Sequence, residues 1–136
     1  MGRQHIRNGL LIVRQQKTGV ELEIPVLTPL VTAIAETPSD HLTFLTTQFG
    51  KPFTAAGFGN WFREQCNLAD LPHCSAHGLR KAAARLLAEA GCTEHEIALI
   101  TGHASLREVA RYTKAADQKR LAVTAMDKVK TRTPTG

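Results

Sequence analysis

The sequence predicts an α+β fold, mostly α-helical, with a small antiparallel sheet near its N-terminus. Three observations lead there. Two strand-like runs lie within the first 26 residues, the second alternating apolar and polar. From Thr54 onward, apolar residues recur at helical spacing. Two Ser/Thr-x-x-Glu signals and a glycine stop then divide this second stretch into short helices.

Taken in order, Gly9-Leu10-Leu11-Ile12-Val13-Arg14-Gln15 and Val20-Glu21-Leu22-Glu23-Ile24-Pro25-Val26 read as strands. Gln16-Lys17-Thr18-Gly19 supplies a glycine-containing hairpin turn between them. Thr28-Pro29 reads as the N-cap and first-turn proline of a helix running to about Glu36. Pro38-Ser39-Asp40 breaks that helix, and residues 42–46 read as a third short strand. Phe58, Trp61, Phe62 and Cys66 form a stripe at i, i+3, i+4 and i+8. Its confinement to one helix face marks it as core rather than a base-stacking platform. Residues 78–90 are rich in alanine and leucine and stop at Gly91, a good residue just past a helix end. Thr93-x-x-Glu96 and Ser105-x-x-Glu108 are capping boxes, each opening a short helix. A last helix is expected over residues 117–129, with Leu121, Ala122, Ala125, Met126 and Val129 on one side. Residues 131–136 read as a flexible polar tail, so that residues 1–130 make one domain.

Composition narrows the function classes. The 136 residues are enough for a domain with a real core, and 43% hydrophobic with 21% charged content describes an ordinary soluble protein. No apolar run approaches the roughly 18 residues of a membrane-spanning helix. The polar start Met-Gly-Arg-Gln-His-Ile-Arg-Asn is unlike a signal peptide, so the expected location is cytoplasmic. A net charge of +5 suits a polyanionic partner. Cys66, Cys74 and Cys92 are odd in number and lack CxxC spacing, which favours reduced, structural thiols. Cys66, His73, Cys74 and His77 fit no common zinc spacing.

The chemistry lies in the second half. His77 and Arg80 are three apart and share a face if both open one helix. A guanidinium offers a planar fork of donors to phosphate oxygens, and an imidazole beside it can pass a proton. His103 follows Gly102 just ahead of the Ser105 cap, where a tight turn can aim its ring at the same point. Tyr112, the one tyrosine of the chain, lies in the helix that Ser105 opens. Its phenol is a nucleophile once neighbouring groups help with its proton. Each residue alone has an ordinary explanation as a solvated charge, a turn residue or a rim tyrosine. The set, at intervals of 3, 23 and 9 residues, does not.

The segments His77-Gly78-Leu79-Arg80, Leu99-Ile100-Thr101-Gly102-His103 and Ala110-Arg111-Tyr112 resemble the signature boxes of the tyrosine recombinase, or phage integrase, family. Gln15-Gln16-Lys17-Thr18-Gly19 with Ile24-Pro25 resembles the family's β-hairpin lysine segment. Phe49-Gly50-Lys51-Pro52-Phe53-Thr54 resembles the loop that follows. The resemblance implies a helical recombinase catalytic core acting on double-stranded DNA, with Tyr112 forming a 3′-phosphotyrosyl bond. It further implies that Arg80 and His103 bind the non-bridging oxygens, that His77 assists proton transfer or hydrogen-bonds the phosphate, and that Lys17 protonates the departing 5′-oxygen. Assembly as a homotetramer on DNA, without small-molecule cofactor or membrane, belongs to the same expectation.

The family also uses an earlier arginine, in a segment like T-G-x-R-x-x-E. Nothing before Leu10 matches it, and Arg3 and Arg7 stand too close to the first strand. The expectation is therefore a catalytic domain without its opening helices and with impaired turnover. Losing one comparable oxyanion donor costs about 3–4 kcal/mol. A competing reading is a non-catalytic helix-turn-helix regulator, with Arg107 and Arg111 facing a groove and Tyr112 merely packing. A third is a metal or interaction module built on Cys66, Cys74 and the histidines.

Overall fold

Asn8 and Gly9, at φ 53° and 75°, turn the chain between β1 (Ile6–Arg7) and β2 (Leu10–Arg14). Both left-handed values suit a two-residue hairpin whose twist matches the strands it joins. β3 (Glu21–Pro25) pairs antiparallel with the other side of β2, giving the sheet order β1-β2-β3. The register sets Leu11 opposite Ile24 and Val13 opposite Leu22, so apolar pairs share one face. The expected hairpin is thus present, but its partner strand on the far side is not the expected one.

The computed structural model describes residues 1–15, 18–37, 40–103 and 105–132. It divides into two compact units, Met1–Ala76 and His77–Gly136.

In the first unit, residues 42–46 form bends rather than a third strand, with one isolated bridge from Thr46 to Pro52. Single hydrogen bonds hold this segment instead of a ladder: Phe44 N–H donates to the Met1 carbonyl, and Gln4 Nε2 donates to the Leu42 carbonyl. A Cβ on Gly2 would stand 1.8 Å from the Leu42 carbonyl oxygen, so only glycine admits this approach. The third strand is β1, joined to β2 through Asn8 and Gly9, of which Gly9 had been expected to open the strand itself.

Helix α1 (Thr28–Glu36) has Leu27, not the expected Thr28, at its N-cap position without a side-chain cap, and Thr28 and Pro29 both lie inside its first turn. The proline is tolerated there because first-turn N–H groups lack helical partners anyway. Helix α2 (Ala55–Leu68) opens where Thr54 accepts from the Gly57 N–H at 3.0 Å. Phe53, Phe58, Trp61 and Phe62 stack edge-on or tilted at centroid spacings of 5.1–5.9 Å, which makes the stripe packing rather than a free platform.

The second unit holds the candidate site. Helix α3 (Ala76–Glu89) ends in a Schellman turn: Gly91 at φ 94° donates to the Ala88 carbonyl, and Cys92 donates to the Leu87 carbonyl. Helix α4 (Glu94–Thr101) opens on the expected capping box, Glu96 N–H to Thr93 Oγ1 at 3.2 Å and Thr93 N–H to Glu96 Oε1 at 2.9 Å. Helix α5 (Leu106–Arg132) is one continuous helix of 27 residues, where two were expected. No glycine or proline interrupts those residues, and nothing local forces a break. It includes Thr131 and Arg132, and residues 133–136 lie outside the described residues.

Ala84, Ala88, Ile97 and Val109 form the buried cluster joining α3, α4 and α5, each no more than 1% exposed. Two polar ties fix α5 further: Thr113 Oγ1 donates to Glu94 Oε1 at 3.1 Å, and Arg120 Nη2 donates to the Ala88 carbonyl at 3.2 Å. The second places a cation at the α3 C-terminus, where the helix dipole favours it.

Candidate functional site

His77 and Arg80 occupy the opening turns of α3, three residues apart and both exposed. Arg80 has no salt-bridge carboxylate among the described residues, so its fork of donors is open to an anion.

His103 arrives from the α4–α5 connection. Gly102 ends α4 in the left-handed conformation, φ 74°, with its N–H on the Ala98 carbonyl at 2.8 Å. This sharp stop turns the chain so that the next side chain tucks inward, and the His103 side chain is only 9% exposed. Its Nδ1 hydrogen-bonds Thr101 Oγ1, while its Nε2 lies 3.9 Å from Glu108 Oε2 on α5.

Burial pushes the His103 pKa below its ordinary value of 6.5, and the Arg80 charge pushes it the same way. The Glu108 carboxylate opposes them, and His77 adds a smaller push downward. Arg80 and His77 of α3 and Glu108 of α5 therefore all act on the charge of one imidazole. Two exposed cationic or cation-forming groups acting on a half-buried imidazole favour an anion. An anion seated there would relieve the repulsion between Arg80 and a protonated His103.

Tyr112 lies in the second turn of α5, its ring packed against the Ala84–Ala88–Ile97–Val109 cluster. It also lines a groove of about 700 Å³ between α3 and α5, with Arg85, Glu89, Arg111, Lys119 and Arg120 around it. Four cations against one carboxylate make this groove positive. The phenol makes no hydrogen bond among the described residues, so its oxygen is not held by another task.

Of the five residues singled out by sequence, His77 and Arg80 stand on α3 and act electrostatically on His103, and Tyr112 lies in a groove of the same three-helix unit. Lys17 lies outside the described residues. Two participants were missed. Thr101 sits two residues before His103 and one turn after Ile97, a spacing from which a threonine hydroxyl can serve both. Glu108 reads in sequence as half of a capping box; in the structure Ser105 Oγ accepts from the Arg107 N–H at 3.2 Å, and Glu108 turns a carboxylate oxygen to His103. Among the described residues, no group of three or more His, Cys, Asp or Glu side chains is placed to hold a metal ion.

Residues 2–119 match the phage integrase family. The chain belongs to the phage integrase family. Solved tyrosine recombinases share the fold of this integrase-family chain. The XerH site-specific recombinase, bound to its palindromic difH substrate in a post-cleavage complex, superposes with a TM-score of 0.65 at 18% identity over 93% of this chain. The Tn1549 transposon integrase in complex with transposon right end DNA gives 0.66, again at 18% identity, over 90% of the chain. The same integrase with a circular intermediate DNA gives 0.62 at 17% identity. This chain spans 40% of the first protein and 52% of the second. No curated protein matches it.

Proposed function

We propose that this phage integrase family chain cuts and rejoins double-stranded DNA, with residues 1–130 as its catalytic domain and Tyr112 as the nucleophile. The phenolic oxygen of Tyr112 attacks a backbone phosphorus, forming an O–P bond as the bond to the 5′-oxygen breaks. The product is a 3′-phosphotyrosyl link and a strand ending in a 5′-hydroxyl. Arg80 and His103 hold the non-bridging oxygens as charge builds on them. His77 takes or relays the phenol proton, and Lys17 delivers one to the departing 5′-oxygen. A 5′-hydroxyl from another strand reverses the step. Because the phosphotyrosyl link keeps the energy of the original ester, neither a nucleotide nor a metal cofactor enters. The protein works in the cytoplasm as a homotetramer assembled on DNA.

The observation that carries this reading is the half-buried His103 imidazole, on whose charge Arg80 and His77 of α3 and Glu108 of α5 all act. A helix-turn-helix reader has no use for that arrangement, since it needs its cations spread along a groove rather than gathered on one acid–base group.

The test separates the nucleophile from the leaving-group step. A duplex carrying a p-nitrophenyl ester on a 3′-phosphate has a leaving group that needs no proton from Lys17. The expected outcome is nitrophenolate release with a stable protein–DNA adduct that peptide mass spectrometry maps to Tyr112. Tyr112→Phe should form none. No adduct, or one on another side chain, would mean that Tyr112 is not the nucleophile.

A further inference from the structure

We propose that Thr101 is a positioning residue that fixes which nitrogen of His103 meets the phosphate; this rests on the active-site reading above. Counting protons fixes the donor in the Thr101–His103 hydrogen bond. Thr101 Oγ1 lies 2.8 Å from the Ile97 carbonyl, an acceptor with no proton to give. The hydroxyl has one proton, and the back-bond to the residue four earlier in the helix uses it. Toward His103 the same oxygen can then only accept. Nδ1 must supply the proton of the Thr101–His103 hydrogen bond.

His103 is thereby held as the Nδ1–H tautomer when neutral, and Nε2 becomes its one titrating position. Nε2 is also the nitrogen that lies toward Glu108, while Arg80 and His77 on α3 act on the same ring. Thr101 itself carries no charge and cannot titrate in this range. Its contribution is orientation: without it, the ring could flip or exchange tautomers and present a hydrogen already committed to nitrogen at the wrong edge. With it, a protonated His103 has one donor outward, at Nε2, for a non-bridging phosphate oxygen. The carboxylate of Glu108 occupies that direction in the free protein and would give way to the substrate anion.

The test is nitrogen NMR of the ¹⁵N-histidine-labelled chain, free of DNA, at a pH where His103 is neutral. The wild-type chain should show His103 with Nδ1 protonated and Nε2 bare. Thr101→Val, which keeps the shape and removes the oxygen, should move His103 to predominantly Nε2–H. Thr101→Ser should restore the wild-type pattern. A wild-type chain with the proton on Nε2 overturns the assignment without any variant, so a Thr101→Val chain that failed to fold would leave it decidable. A folded Thr101→Val chain that keeps the wild-type tautomer also overturns it. Adding duplex DNA to the wild-type chain then separates the two layers. Protonation of Nε2 on binding supports the phosphate-facing role. Unchanged His103 nitrogens in a DNA-bound chain, with the tautomer as assigned, overturn that role and the active-site reading together, while the Thr101 hydrogen bond itself stands.

Discussion

At the scale of single residues, His103 links the geometry to pH. Burial and Arg80 both disfavour its charged form, so its folded pKa lies below the ordinary value of 6.5. Between those two values the unfolded chain binds a proton that the folded chain refuses. Stability is therefore complete above about pH 6.5 and falls as pH drops toward the folded pKa. Arg80→Ala removes a repelling charge and should raise the His103 pKa in an NMR titration; an unchanged pKa would show that Arg80 does not face the ring. The catalytic candidates at this scale were legible because histidine, arginine and tyrosine at fixed intervals point to phosphate chemistry. Thr101 and Glu108 were not, because a hydroxyl gains meaning from the acceptor it already serves, and that pairing exists only in three dimensions.

Helix ends decide the behaviour of the elements. The Thr93–Glu96 box satisfies two otherwise orphaned N–H groups of α4, and its hydrogen bonds lower the Glu96 pKa. Thr93→Ala should cost roughly 0.5–2 kcal/mol, read from denaturant midpoints. The Glu96 share should be present above the ordinary carboxylate range and fade as pH falls through its lowered pKa. Gly91→Ala, at φ 94°, should cost about 1–2 kcal/mol through backbone strain alone, since the nearest outside atom to a new Cβ is Arg120 Nη2 at 4.0 Å. A neutral Gly91→Ala would mean that the Schellman turn is not held. These caps were readable in sequence because each is a local contract between two or three residues. The third strand was not: residues 42–46 have strand composition, but single bonds from Met1 and Gln4 claim their backbone. The split of α5 into two helices failed for the opposite reason. A capping signal at its start says nothing about where a helix without breakers ends.

For the molecule as a whole, the second unit rests on a small core of two alanines, Ile97 and Val109. Ile97 is fully buried, and Ile97→Ala should cost about 2–5 kcal/mol, a large share of the roughly 5–15 kcal/mol that holds a domain together. Because Ile97 also supplies the carbonyl that engages Thr101, the core and the His103 site should be lost in one transition. Melting followed at the His103 nitrogens and by far-UV circular dichroism should give coincident curves; separate curves would show that the site loosens before the core. The family signature was legible across most of the chain, since its boxes carry the chemistry and its turns the fold.

On the function proposed above, Arg80, His77 and His103 form one seat for a phosphate. Its most direct test is a crystal structure of the chain with orthovanadate, an anion that adopts the five-coordinate geometry of phosphoryl transfer. Vanadium should be seen with oxygens on the Arg80 guanidinium and His103 Nε2, and His77 within hydrogen-bond reach. Vanadate bound elsewhere, or an empty site whose three side chains diverge, would contradict it.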